Sequence, residues 1–220
     1  MKICFLVLFL FAQAVTATAQ SGNATRLQRA VLPLQFAVTN PRSGLKTIGT
    51  HCTVTSINPA KRLWLTAAHC ILNLKTERRY ASAYYVAWHE VVPIRIDLTH
   101  DLAILRSVDK WSIPHALVIA KDVPQVGDRV EMLGYGYARI DPFYFLGYIV
   151  TTNFEFYGSR INVVAFPAIA GGSGGPIVNE NGQLIGVLHI GFGCETCQYV
   201  SPLAGITTFD TLQTFWQYTR

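Results

Sequence analysis

Gly171-Gly172-Ser173-Gly174-Gly175-Pro176 surrounds one serine with four glycines and a proline. Ordering so many glycines is entropically costly, and such a segment does not form the interior of a strand. It can bring backbone N–H groups close to a ligand while leaving the serine hydroxyl exposed. Nucleophilic acyl transfer needs that arrangement, a hydroxyl beside N–H donors aimed at a developing oxyanion. An ordinary Gly-rich turn is the competing reading, and the stretch alone does not separate the two.

A serine is a weak nucleophile near neutral pH without a base, which directs attention to the six histidines, at 51, 69, 89, 100, 115 and 189. His69 stands in Leu65-Thr66-Ala67-Ala68-His69-Cys70, an apolar strand end followed by small residues. Small neighbours let an imidazole sit in a packed site and stay reachable. The imidazole in turn needs a carboxylate to hold its tautomer. Asp101 leads directly into Leu102-Ala103-Ile104-Leu105, where the start of a buried strand would desolvate the acid and hold it in place. Asp97, four residues earlier, competes for the role but reads as part of a solvated turn.

Chain order discriminates among folds. Gly171-x-Ser173-x-Gly175 also fits the nucleophile elbow of α/β-hydrolases, which run Ser, acid, His. After Ser173 the only histidine is His189, with Glu180 alone between them, and alternating helices and strands are absent. A subtilisin-type order needs Asp before His, yet residues 1–68 contain neither Asp nor Glu. His69, Asp101, Ser173 is the order that remains.

The pattern along the chain is all-β. Apolar or alternating runs occur at 31–38, 53–57, 63–66, 83–88, 91–96 and 102–105, and again at 130–133, 147–156, 160–166, 176–178 and 184–190. Turn signals such as Asn40-Pro41, Asn58-Pro59 and Asn181-Gly182 separate many of them. A barrel or sandwich is expected. Only Thr208–Tyr218 reads as a helix, with Asp210 as its expected cap. No internal repeat is visible in the sequence.

Lys2 followed by an apolar run from Ile3 to Ala12 and by Ala17-Thr18-Ala19 reads as a secretory leader, residues 1–19. The run is shorter than the roughly 20 residues that span a bilayer. Without Lys2 the formal charge falls from +5 to +4, spread along the chain. This favours solubility and gives little support for nucleic acid as a partner. Half the residues are apolar and 14% charged, which suits a large core and short loops. Beyond Cys4 four cysteines remain, at 52, 70, 194 and 197, an even number that suits two disulfides in an exported chain.

Leu-Thr-Ala-Ala-His-Cys at 65–70, Asp-Leu-Ala-Ile-Leu at 101–105 and Gly-Gly-Ser-Gly-Gly-Pro at 171–176 together resemble the chymotrypsin-like serine peptidases. The resemblance runs from about Val31 to the terminal helix. It implies two perpendicular six-stranded β-barrels with a C-terminal α-helix and a site in the cleft between the barrels. The expected division is an N-terminal segment 20–30, a first barrel 31–112, a connector 113–125, a second barrel 126–206 and a helix 207–220. It implies an endopeptidase with a catalytic triad of His69, Asp101 and Ser173, and an oxyanion hole from the N–H groups of Gly171 and Ser173. It implies a disulfide Cys52–Cys70 beside the catalytic histidine, which leaves Cys194–Cys197 as the second pair. His189, Ile190 and Gly191 would bind an extended peptide by strand addition. The expected partner is a polypeptide substrate, with no cofactor and no metal, in a secreted or periplasmic setting and without membrane attachment after leader removal.

The sequence departs from the animal members of that family in four ways. Gly172 stands where they carry the acid that pairs with a new amino terminus, so a preformed oxyanion hole is expected, as in bacterial and HtrA-like relatives. Only 32 residues separate His69 from Asp101, which makes the intervening loops short. Ile169 replaces a cysteine. His189 replaces a serine, and three readings stand: a hydrogen bond to Asp101, a pocket wall favouring an acidic P1 residue, or a packed strand histidine. Phe166, Pro167 and Ala168 supply no carboxylate for a basic P1 side chain.

Overall fold

The computed structural model describes residues 21–39, 43–44, 46–136, 141–192 and 202–217. Twelve strands form two closed antiparallel barrels. The first comprises β1 (Val31–Thr39), β2 (Lys46–Asn58), β3 (Leu63–Thr66), β4 (Ala83–Val86), β5 (His89–Asp97) and β6 (Leu102–Ser107), in the order β1-β2-β3-β6-β5-β4. The second comprises β7 (Arg129–Gly134), β8 (Phe143–Phe156), β9 (Ser159–Ala165), β10 (Pro176–Val178), β11 (Leu184–Gly191) and β12 (Ala204–Thr207). Its order is β7-β8-β9-β12-β11-β10, the same circuit traced again. The repeat invisible in the sequence is therefore present in the topology, because barrel closure constrains hydrogen-bond circuitry while leaving most residue identities free.

The strands form where their burial dictates. β3 (Leu63-Trp64-Leu65-Thr66) is buried along its whole length, as are the first four residues of β6, so both read as continuous apolar runs. β8 alternates between Leu146, Tyr148 and Val150 facing solvent and Gly147 and Ile149 facing inward. β12 was not among the expected strands: its four residues are short, contain Gly205, and are strand only because β9 and β11 flank them.

Each barrel has its own core, around Leu34, Val54 and Trp64 in the first and Val130, Ile149 and Ile177 in the second. A third cluster fills the seam between them, joining Leu65 and Ile104 to Leu133, Val178 and Val187. Two helices cap this seam. α2 (Phe209–Trp216) contributes Leu212 and Phe215. Its N-cap is Thr208, whose hydroxyl accepts the Thr211 N–H, and not Asp210, which sits inside the first turn where its charge suits the helix dipole. α1 (Ser21–Ala30) is a helix where only an N-terminal segment was expected. Leu27 and Ala30 insert into the seam, while Asn23 and Arg26 donate to the carbonyls of Glu180 and Asn181.

The connector is strapped to both halves: Leu117 N–H donates to Ser56 in β2, and residues 118–120 bond to Leu184 in β11. Cys52 and Cys70 form a disulfide. Cys194 and Cys197 lie outside the described residues. Among the described residues no helix is long and apolar enough to cross a membrane.

Candidate active site

β3 delivers the first group. Beyond Thr66 the chain passes through Ala67 and Ala68, both wholly buried, into a single 3₁₀ turn (Ala68–Cys70) that presents His69 with a partly exposed side chain. The disulfide ties this turn to β2. Asp101 leads into β6 and holds the histidine at two points. Its Oδ1 accepts the His69 backbone N–H at 2.8 Å, and its Oδ2 lies 2.6 Å from His69 Nδ1. The Asp101 carbonyl also accepts the Ala68 N–H. Asp101 adopts φ +55°, a left-handed conformation that aspartate enters more readily than most residues. Asp97 is committed elsewhere: its carboxylate accepts the backbone N–H of His100 at 3.1 Å and lies 2.8 Å from His100 Nδ1, within their own turn. Two carboxylates thus hold two histidines, and the one beside His69 is Asp101.

The segment around Ser173 is held against the first barrel, beside Cys70, by contacts between the barrels. The Ser173 carbonyl accepts the N–H of Thr53 in β2 at 2.9 Å and lies 3.7 Å from Cys70 Sγ. Gly174 N–H donates to Leu188 in β11, and Leu188 N–H returns a bond to Gly175. Gly174, at φ +82°, is pressed so closely to the first barrel that a Cβ there would lie 2.2 Å from both Thr53 O and Thr66 Oγ1. A glycine is required at this point for space as well as for backbone conformation.

From Gly171 to Gly174 the N–H groups of the serine loop alternate between unengaged and engaged. Those of Gly172, Gly174 and Gly175 donate to Ile169, Leu188 and Gly172. Those of Gly171 and Ser173 donate to no protein acceptor among the described residues. Two N–H groups flanking a hydroxyl are thereby left for a ligand.

The His189 side chain, only 6% exposed, lies beside Asp101 with Nδ1 at 3.7 Å from Oδ2, too far for a hydrogen bond. The reading in which it hydrogen-bonds to Asp101 is corrected accordingly. Among the described residues its Nε2 has no partner. Burial pushes its pKa down to about 4, with Asp101 opposing and His69 reinforcing the shift, so the ring is neutral at pH 7. His189 and Ile190 line a cleft of about 400 Å³ that also holds His69, Leu98, Phe156 and Tyr157. Gly191 ends β11 at the same edge. Cys52, Cys70 and His69 also converge as a metal-ligand set might, but both sulfurs are committed to the disulfide.

The sequence profile of the trypsin-like peptidase domain matches residues 49–187, well over half of the chain. The chain belongs to the trypsin-like peptidase family. No curated protein matches it in direct sequence comparison. Among solved structures it is similar to the HtrA-type protease AlgW with a decapeptide, at 18% identity and a TM-score of 0.73, over 89% of this chain and 65% of that one. It is similar also to AlgW with a tripeptide, at 20% identity and a TM-score of 0.68, over 89% of this chain and 61% of that one. The chain thus spans less than two thirds of the length of these two structures. Those likenesses concern the fold; the family rests on the sequence profile.

Sequence reasoning missed Thr53, which bonds to the serine loop, and the cleft residues Leu98, Phe156 and Tyr157. Thr53 follows Cys52 directly, a proximity to the site that could have drawn attention to it. The cleft residues carry no such signal, since Leu98 follows β5 of the first barrel while Phe156 and Tyr157 lie at the end of β8 in the second, and the two sides meet only when the barrels pack.

Proposed function

We propose that this chain is a serine endopeptidase that hydrolyses polypeptides through an acyl-enzyme. The observation that carries the reading is the two-point hold of Asp101 on His69, in a site where the Gly171 and Ser173 N–H groups are unengaged. With Nδ1–H held by Asp101, the His69 lone pair is on Nε2. His69 takes the Ser173 hydroxyl proton as Oγ attacks the scissile carbonyl carbon. The Gly171 and Ser173 N–H groups stabilise the resulting oxyanion. Collapse expels the amine, which receives that proton from His69, and leaves an ester on Ser173. Water, deprotonated by His69, releases the acid and restores the serine.

Polypeptide is favoured as substrate because the strand edge at 189–191 borders the cleft, and both AlgW structures are described with bound peptides. The absence of a carboxylate at 166–168 argues against a basic P1 residue. Export is part of the same reading, on the leader pattern at 1–19 and the disulfide, with the divisions 20–30, 31–112, 113–125, 126–206 and 207–220 in the chain that follows. The test is covalent labelling with an organophosphonate. Labelling of the wild type that disappears in Ser173→Ala supports the reading; labelling that persists in the variant refutes it.

A further inference from the structure

We infer that Thr53 is a positioning residue for the oxyanion-binding loop, setting the N–H groups of Gly171 and Ser173 from the opposite barrel. The inference rests on the peptidase reading above and concerns how its site is held.

Thr53 is wholly buried in β2, and each of its polar groups is used. Its N–H donates to Ser173 O at 2.9 Å, and its carbonyl accepts Thr66 Oγ1–H at 2.8 Å. Its hydroxyl meets two groups: Tyr135 N–H, at 2.9 Å, and Gly171 O, at 3.1 Å. Proton accounting fixes the direction of these bonds. A backbone N–H can only donate, so Oγ1 accepts from Tyr135. The single hydroxyl proton is then left for Gly171 O. One residue of the first barrel therefore grips the carbonyls on both sides of the segment 171–173.

The consequence follows from the peptide planes. The unit joining Gly171 to Gly172 is fixed at its oxygen by Thr53 and at its nitrogen by Ile169 O. The unit joining Ser173 to Gly174 is fixed at its oxygen by Thr53 and at its nitrogen by Leu188 O. The two unengaged N–H groups belong to the alternate units: the one carrying Ser173 N–H is also held at Gly172 O by the Gly175 N–H, and the one carrying Gly171 N–H is directed by its anchored neighbour. Gly171 lies at φ +93° with glycine after it, so sterics oppose rotation of this segment weakly. Hydrogen bonds must do what side-chain bulk cannot. Of the bonds that fix these planes, the Thr53 hydroxyl supplies the only one from a side chain. Because Tyr135 follows β7, that hydroxyl is itself oriented by the second barrel. The hole is thus organised when the barrels dock, which provides a core-based alternative to ordering it from an acid at position 172.

The test compares Thr53→Val, which keeps the shape and removes the hydroxyl, with Thr53→Ser, which keeps the hydroxyl. Each is read on the fraction of molecules that label stoichiometrically at Ser173. Thr53→Val should lower kcat about 30-fold, less than the loss expected on deleting a direct oxyanion donor. KM should stay within about twofold, and affinity for a peptide boronate, whose tetrahedral adduct occupies the hole, should fall in parallel with kcat. Thr53→Ser should regain most of the lost kcat. Should Thr53→Val not fold, Thr53→Ala carries the same comparison. Removal of the hydroxyl with kcat held within about threefold, or a serine variant as impaired as valine, overturns the assignment. A wild-type chain that neither cleaves peptides nor labels at Ser173 refutes the underlying reading instead.

Discussion

Asp101 holds His69 by both of its carboxylate oxygens, one on the backbone N–H at 2.8 Å and one on ring Nδ1 at 2.6 Å. The same acid therefore fixes where the histidine sits and which way its ring faces. The ring contact opposes rotation about the side-chain torsions, and the backbone contact fixes the turn from which the imidazole projects. The left-handed φ of Asp101 is a local cost that this double hold offsets.

Asp101→Asn should lower kcat about 10⁴-fold with little change in KM. An amide can present an N–H to Nδ1, which would place the ring proton on Nε2 and leave no base for the serine. Asp97→Asn should keep kcat within about threefold, since Asp97 serves His100. Steady-state kinetics on both variants decide the matter; similar losses in the two would refute the assignment of Asp101.

His189 should make the protein less stable in acid. Its folded pKa is depressed to about 4, below the ordinary 6.5 of an unfolded histidine. The contribution is fully present above about pH 6.5 and is lost as pH falls toward 4, because only the unfolded chain gains a proton in that window. The loss amounts to about 3 kcal/mol. Urea unfolding at pH 7 and pH 4.5 should show a smaller pH difference in His189→Gln than in the wild type. An equal difference would show that the ring is not held neutral by burial.

The disulfide closes a loop across 18 positions of sequence. Replacing both cysteines, Cys52→Ser with Cys70→Ser, should cost about 3 kcal/mol in unfolding free energy. Activity should fall as well, since Cys70 adjoins His69 and the bridge ties that turn to β2. Full activity and unchanged stability in the double variant would contradict this role.

Gly174→Ala should unfold or inactivate the protein, because the new methyl would meet Thr53 O and Thr66 Oγ1 at 2.2 Å. Gly158→Ala, at a similar φ of +79° but with nothing within 4 Å, should cost only about 1–2 kcal/mol. Denaturant unfolding of the two variants separates steric crowding from backbone preference. Comparable losses would mean that the close approach of the serine loop to the first barrel is not required.

Much of the architecture was legible because its cause is local. β3 and β6 announce themselves as Leu63-Trp64-Leu65-Thr66 and Leu102-Ala103-Ile104-Leu105, runs that only a buried strand explains. α1 was not legible. Within Ser21–Ala30 only Leu27 and Ala30 are buried apolar side chains, and the helix docks through Asn23 and Arg26 onto carbonyls more than 150 residues away. β12 and the Thr208 cap were missed for a similar reason, being settled by neighbours more than by their own residues.

The glycine-flanked Ser173, preceded in chain order by His69 and Asp101, determined the fold family from sequence alone, because few folds can use those groups in that order. Which carboxylate holds His69, that His189 stands beyond hydrogen-bonding reach of Asp101, and that Thr53 grips the serine loop were decided by the tertiary structure. Each depends on a distance between side chains or strands from different parts of a barrel, or from different barrels. Such distances are set when the barrels close and pack, and residue order does not encode them directly.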